Sequence, residues 1–227
     1  MKRSEINAIL AANKKLLEEN NIKLPPFGYW RPEEWTTRGT ECNEIRDCAL
    51  GWDVTDFAKG RYEKLGLTLF TVRNGHREIE KYKDKTYCEK LLFIGENQIT
   101  PMHMHKFKME DIINRAGGNL IVELYMATDD LTLDKSAQVV VTMDGVEQAL
   151  PAGAKLTLKP GESVTLPPYL YHEFWAEEGT GTSILGEVSK VNDDNNDNFF
   201  IEPLPRFTEI EEDEPPLLHL CNEYPPA

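Results

Sequence analysis

The sequence predicts an all-β domain of the sandwich or barrel type, with a helix ahead of it and an irregular Pro-rich arm behind it. Three observations predict this. Short runs rich in β-branched and aromatic residues follow one another from Gly66 to Val191, Gly, Pro or Asp-Gly closes most of the gaps between them, and no repeat of solenoid period is present. With 227 residues, 40% of them hydrophobic, the chain is long enough to bury a real core.

The elements follow in order. Ser4 is placed to cap a helix from about Glu5 to Asn20, where Ile6, Ile9, Leu10, Leu16 and Leu17 recur near helical spacing with the lysines off that face. From Pro25 to Trp52 aromatics, Gly, Pro and charges mix without a period, which predicts ordered loop wrapped over one end of a core. Residues 1–65 are therefore expected as a helix with wrapping loops and residues 66–191 as the β domain. Within that domain, strands are predicted in 67–72, 86–94, 118–128 and 138–143. Asp144-Gly145 is a two-residue hairpin signal, and further strands follow within 146–153, 155–168, 171–178 and 182–191. After the polar run that follows Val191, six prolines from Pro203 onward argue against regular central strands, so 192–227 is read as an arm packing on the barrel. The acidic run Glu209 to Glu214 is read as a solvated face.

Charge narrows the partners. Twenty-five Lys and Arg stand against 39 Asp and Glu, a net −14, which opposes phosphate backbones and anionic lipid, so neither nucleic acid nor a membrane is expected as a partner. No run approaches the ~20 apolar residues of a membrane span, and the first ten residues hold no apolar signal core, which leads to a cytoplasmic expectation. Cys42, Cys48, Cys88 and Cys221 lack paired ligand spacing and are read as reduced thiols.

The histidines carry the chemistry. On a strand, residues i and i+2 share a face, so His103 and His105 project together from the run 99–107, where a helix would separate them by about 200°. Glu110, five residues on, can return to the same interior, and His172 follows a strand bounded by Gly161 and Pro167. Three imidazoles and a carboxylate without a thiolate suit Mn, Fe, Co, Ni or Zn. His76 and His219 have no such partners and are read as surface or packing residues.

These residues resemble the motifs of the cupin superfamily, Gly-x5-His-x-His-x3,4-Glu-x6-Gly and Gly-x5-Pro-x-Gly-x2-His-x3-Asn. His103, His105, Glu110, Gly117, Gly161, Pro167 and His172 match. Gly95 stands eight positions before His103, Tyr169 replaces the second motif's inner Gly, and Ala176 replaces its terminal Asn. The resemblance implies a jelly-roll barrel with His103, His105, Glu110 and His172 as metal ligands. A narrower resemblance rests on 103–115, on Tyr171 to Trp175 and on Gly186 to Asp194, which together are similar to the bacterial D-lyxose isomerases. It implies interconversion of D-lyxose and D-xylulose, with mannose and fructose as related substrates, at a divalent metal usually taken to be manganese.

An aldose-ketose isomerase needs an electrophile for the enediolate oxygens and a base near C1 and C2. Glu202, between two apolar runs, is the first choice of base because desolvation would raise its pKa, and Glu187 is the reserve, otherwise a substrate contact. Lys90 shares a strand face with Cys88 and Leu92 and suits charge stabilisation or proton transfer if that face, not that of Leu91 and Phe93, is the inner one. Lys108 and Arg206 are candidates for holding sugar hydroxyls. A cupin dioxygenase with iron or copper and a non-catalytic sugar-binding cupin remain open at this point, and the sheet edges of a jelly roll predict a homodimer.

Overall fold

The computed structural model describes residues 1–194, 196–205 and 207–227. Helix α1 (Arg3–Glu19) opens the chain, and two short helical turns, α2 (Pro32–Trp35) and α3 (Asn43–Asp47), precede the strands. The strands are β1 (Gly51–Thr55), β2 (Leu67–Arg73), β3 (Tyr87–Ile94), β4 (Thr100–Met104) and β5 (Glu110–Gly117). They continue as β6 (Leu120–Ala127), β7 (Leu133–Asp134), β8 (Val139–Met143), β9 (Val146–Leu150) and β10 (Ala154–Leu158). The last four are β11 (Ser163–Leu166), β12 (Leu170–Ala176), β13 (Ser183–Lys190) and β14 (Phe199–Phe200).

Antiparallel pairing arranges them in two sheets, β1-β2-β3-β13-β5-β11-β8-β9 and β10-β6-β12-β4-β14, with β7 added beside β6. This is the expected cupin barrel, all-β with an N-terminal helix and an irregular C-terminal arm. Asp144 and Gly145 both take positive φ, 48° and 82°, the pair of left-handed residues that a tight hairpin between β8 and β9 requires. β1 corrects one expectation: Gly51 and Trp52 lie in a strand, because Gly51 to Thr55 pair with Thr71 to Leu67 and extend the large sheet.

Along β1, β2, β3 and β13 the large sheet is buried on both faces, while at β8 and β9 its outer residues are exposed. Its inner face joins the small sheet in a core that includes Leu69, Leu92, Ile94, Ile112, Val122 and Phe174. Its outer face, through Phe70, Leu91, Phe93 and Ile184, packs on Ile6, Leu10 and Leu17 of α1 and on Leu218 and Leu220 of the arm. Alternation along β3 thus sends Leu91 and Phe93 under the helix and Lys90 and Leu92 into the barrel, so neither set faces water. Each buried Leu or Phe contributes about 1.5–3 kcal/mol, so the helix face alone fixes α1 to the sheet.

The start of α1 differs from expectation where the acidic run meets it. Lys2 occupies the cap position, its N–H donating to Glu5 Oε2 at 2.8 Å, while the Ser4 hydroxyl donates instead to Asp213 Oδ2 at 2.7 Å. The buried Arg3 guanidinium bonds Glu212 at 2.6 Å and also Glu223, and Asn7 Nδ2 donates to Glu214 at 2.6 Å. The acidic side chains from Glu209 to Glu214 are exposed, as a solvated face has them, and the run also docks at the positive end of the α1 dipole, where it meets N–H groups the helix leaves free.

Candidate metal centre and active site

β4 and β12 are neighbours in the small sheet, with His103 opposite His172, and the chain leaving β4 carries His105 to the same interior. Glu110 is the first residue of β5 in the facing sheet, so the two sheets supply the cluster between them. One donor atom from each of His103, His105, Glu110 and His172 lies within 4.8 Å of all the others. His103 and His172 ring centroids are 4.2 Å apart, those of His103 and His105 5.2 Å.

The hydrogen bonds decide which ring nitrogens face inward. Nδ1 of His103 meets Pro101 O at 2.8 Å, Nδ1 of His105 meets Asp197 O at 2.7 Å, and Nδ1 of His172 meets Leu170 O at 3.0 Å. A carbonyl only accepts, so each Nδ1 carries the proton and each Nε2 of a neutral ring presents a lone pair. Nε2 of His105 and of His172 is buried without a hydrogen-bond partner among the described residues. Burial, then the charges of His172 and His105, hold His103 well below its ordinary pKa, and burial followed by Lys108 lowers His105. Buried, neutral imidazoles with unfilled lone pairs next to a carboxylate fit a divalent cation, which would fill the orphaned positions.

Glu110 serves two neighbours. Oε1 lies 3.0 Å from His172 Nε2 and 3.6 Å from His105 Nε2, while Oε2 accepts from Lys108 Nζ at 2.6 Å. Lys108 also donates to Glu187 Oε1 at 2.9 Å, Lys90 Nζ reaches the same oxygen at 3.1 Å, and Ser189 Oγ donates to it at 3.3 Å. Glu187 Oε2 has only a 3.4 Å contact from Lys90. All four charged side chains are at most 6% exposed. Burial, the largest single influence, would raise both carboxyl pKa values, but Lys108 together with His105 and His172 outweighs it at Glu110, and Lys108 with Lys90 at Glu187, so both lie below the ordinary carboxylate range. Burial opposes the charge of Lys108 as well, yet Glu110 and then Glu187 raise its pKa above the usual lysine value.

A cavity lined by Lys90, His103, His105, Lys108, Glu110 and Glu187 has Phe57, Leu69, Ile112, Phe174 and Phe200 on its apolar side. A second cavity of about 240 Å³ shares Leu69, Asn192 and Asp194 with it. The structure thus brings Lys90, Lys108 and Glu187 to the cluster, resolving the two readings of β3 in favour of an inward Lys90.

Glu202 stands apart from the cluster. β14 sets Phe199 and Phe200 opposite Met104 and His103, the chain then bends, and Glu202 is exposed and lines neither of these cavities. Apolar neighbours in sequence do not desolvate a residue at a bend. Arg206 lies outside the described residues. Asn192, Asp194 and Asp197 were missed, because an Asn/Asp run reads as a solvated turn. Asn192 Oδ1 accepts from Lys90 Nζ at 2.7 Å, while Asn74 holds its backbone with bonds of 3.0 and 3.1 Å. The motif position at which Tyr169 replaces glycine has φ 63°, the left-handed conformation that explains the glycine of the pattern.

A family profile described as D-lyxose isomerase matches residues 1–224. A D-lyxose/D-mannose isomerase of Escherichia coli O157:H7 is 50% identical over 99% of this chain and 98% of its own length. One from Serratia proteamaculans is 49% identical over the same shares. Among solved structures, L-ribose isomerase of Cellulomonas parahominis aligns with 93% of this chain and 98% of its own at a TM-score of 0.60 and 16% identity, a likeness of fold.

Proposed function

The chain belongs to the D-lyxose isomerase family and is a sugar isomerase, and on that premise we propose that it interconverts D-lyxose and D-xylulose, and mannose and fructose, by proton transfer through a cis-enediol. The observation that carries this reading is the pairing of two unlike halves in one cavity. One half is the His103, His105, Glu110 and His172 cluster with inward lone pairs. The other is a buried carboxylate, Glu187, held between two lysines.

His103, His105, Glu110 and His172 would hold a divalent metal, which we take to be manganese, as a hard-to-borderline ion suits imidazole and carboxylate donors. When bound, the metal supplies positive charge that favours the oxyanion developing as the C2 proton leaves. Lys90 and Lys108 balance Glu110 and Glu187, so against Asp194 on the same wall a divalent ion would supply the positive charge that an enediolate requires.

Glu187 takes the C2 proton. Its Oε2 is the less occupied oxygen, and its depressed pKa keeps it ionised at neutral pH and lets it return the proton to C1 readily. Lys108 orients Glu187 and Glu110 by bridging them, and Lys90, fixed by Asn192, steadies Glu187 from the other side. Phe174 and Phe200 exclude water from the cavity, which strengthens these interactions. Asp194 and Asn192, on the wall towards the second cavity, are placed to meet sugar hydroxyls.

The buried thiols of Cys42, Cys48 and Cys88 support a reducing, cytoplasmic setting. Open edges at β9 and β10, with Val146 59% exposed, support a homodimer, to be checked by light scattering. The function is tested by incubating manganese-loaded protein with pentoses and hexoses, with and without oxygen, and measuring ketose. Equal ketose formation from D-lyxose in both atmospheres is expected. Oxygen consumption without ketose would identify a dioxygenase, and tight binding without product a sugar-binding protein.

A further inference from the structure

We propose that Asp197 is a positioning residue that aligns both halves of the site at once, fixing the His105 ring through its main-chain carbonyl and the Lys108 loop through its carboxylate. The inference rests on the metal-dependent reading of this site. Asp197 is 2% exposed, although it stands in a run of Asn and Asp that a solvent-facing turn would leave in water. Its carbonyl takes the His105 Nδ1 proton at 2.7 Å. Its Oδ1 accepts the N–H of Lys106 at 2.8 Å and of Phe107 at 3.0 Å, and its Oδ2 accepts that of Lys108 at 2.9 Å.

Three successive N–H groups converging on one carboxylate form an anion nest, here filled from within the chain. Beyond this nest the loop is held by the Lys108 ammonium on Glu110 and Glu187 and by Met109 O, which accepts the Lys190 N–H at 3.1 Å. Phe107 and Met109 are 52% and 43% exposed, so apolar burial does not fix residues 106–109, and the Lys106 ammonium sits 4.2 Å from the ring of Phe199, on the same segment as Asp197. Yet the loop must place a ligand at each end, His105 and Glu110, and Lys108 between them. Removing the carboxylate leaves three buried or half-buried N–H groups to find other partners, and the loop and the His105 carbonyl contact shift together.

Two substitutions separate the roles. Asp197→Ala removes both side-chain acceptor oxygens and with them the three hydrogen bonds they receive. Ring-nitrogen NMR of the metal-free, 15N-histidine protein should show His105 losing its single Nδ1–H tautomer while His103 and His172 keep theirs, and titration should show Mn²⁺ affinity falling about 10–100-fold. Asp197→Asn keeps the backbone carbonyl and one oxygen for Lys106 and Phe107, but sets an amide NH2 against the Lys108 N–H. It should hold Mn²⁺ within about threefold of wild type, because the His105 contact survives. Its kcat should fall by about 10²-fold with KM moving less, because Lys108 is misplaced.

An unchanged His105 signal or unchanged Mn²⁺ affinity in Asp197→Ala overturns the proposal. If that variant does not fold, the split in Asp197→Asn decides, and equal losses of metal affinity and kcat, or none, overturn it. If wild type neither binds Mn²⁺ nor makes ketose, the functional reading fails, while the metal-free tautomer measurement still decides the role of Asp197.

Discussion

Two charge networks in this molecule, each built around a buried cation, look alike and are wired differently. At the mouth of α1, Arg3 directs its guanidinium at Glu212 and Glu223, with Nε at 2.8 Å and Nη2 at 2.6 Å from Glu212 and Nη1 at 3.2 Å from Glu223. In the barrel, Lys90, Lys108, Glu110 and Glu187 satisfy one another, but Nε2 of His105 and of His172 has no hydrogen-bond partner among the described residues, and Glu187 Oε2 is held only at 3.4 Å. A closed network fastens elements together. An open one, maintained at the cost of unfilled buried valences, leaves places for a ligand to occupy.

Substitutions should separate the two networks, beginning with the largest effect. His172→Ala should abolish stoichiometric manganese binding and isomerisation together, measured by metal analysis after desalting and by ketose formation, since it removes one of four donors. Full metal content in that variant would show that the open valences are not ligands. Glu187→Gln should retain the metal and lower kcat by about 10²–10⁴-fold, the range for loss of a general base, as read by steady-state kinetics.

Arg3→Ala should leave kcat of the folded enzyme near wild type while destabilising it by about 2–3 kcal/mol in urea. This is less than the about 3–5 kcal/mol for breaking a fully buried pair, because Glu212 is 57% exposed and regains water. The clamp also predicts a pH dependence. The hydrogen bond from Arg3 holds the Glu212 carboxyl below its ordinary value, so its stabilisation is present above the unfolded pKa and is lost as pH falls through the lower, folded one. The stability gap between wild type and Arg3→Ala should therefore narrow in acid, and a gap that widens there would rule the clamp out. Glu202→Gln should have the smallest effect, within about 0.5 kcal/mol in stability, as for an exposed side chain away from other features, with kcat unchanged. A large rate loss there would return the base to the arm.

How much of this was legible follows the same division. The four candidate ligands are readable because strand periodicity puts His103 and His105 on one face, and the cupin pattern supplies Glu110 and His172. β-rich runs gave most of the strands, but β1 hid in an aromatic loop, since Gly51 and Trp52 show no alternation until paired with β2. Lys90 was ambiguous for a physical reason: both faces of β3 are buried, so hydrophobic alternation carries no sign. Ser4 and the acidic run were each read locally, and only the return of the arm to α1 makes them partners. Glu202 and Asp197 depart from their local sequence in opposite senses. An acid among apolar neighbours is exposed at a bend, and an acid among polar ones is buried on three N–H groups, because burial is set by tertiary contacts that composition does not encode.

Turnover of D-lyxose by the manganese-loaded enzyme in heavy water, with the product followed by NMR, tests the central claim most directly. If Glu187 carries the proton, it exchanges with solvent between C2 and C1, and deuterium should appear at C1 of the xylulose formed. Complete transfer of the original C2 hydrogen to C1, with no deuterium in the product, would contradict proton transfer by Glu187 and require a hydride shift instead.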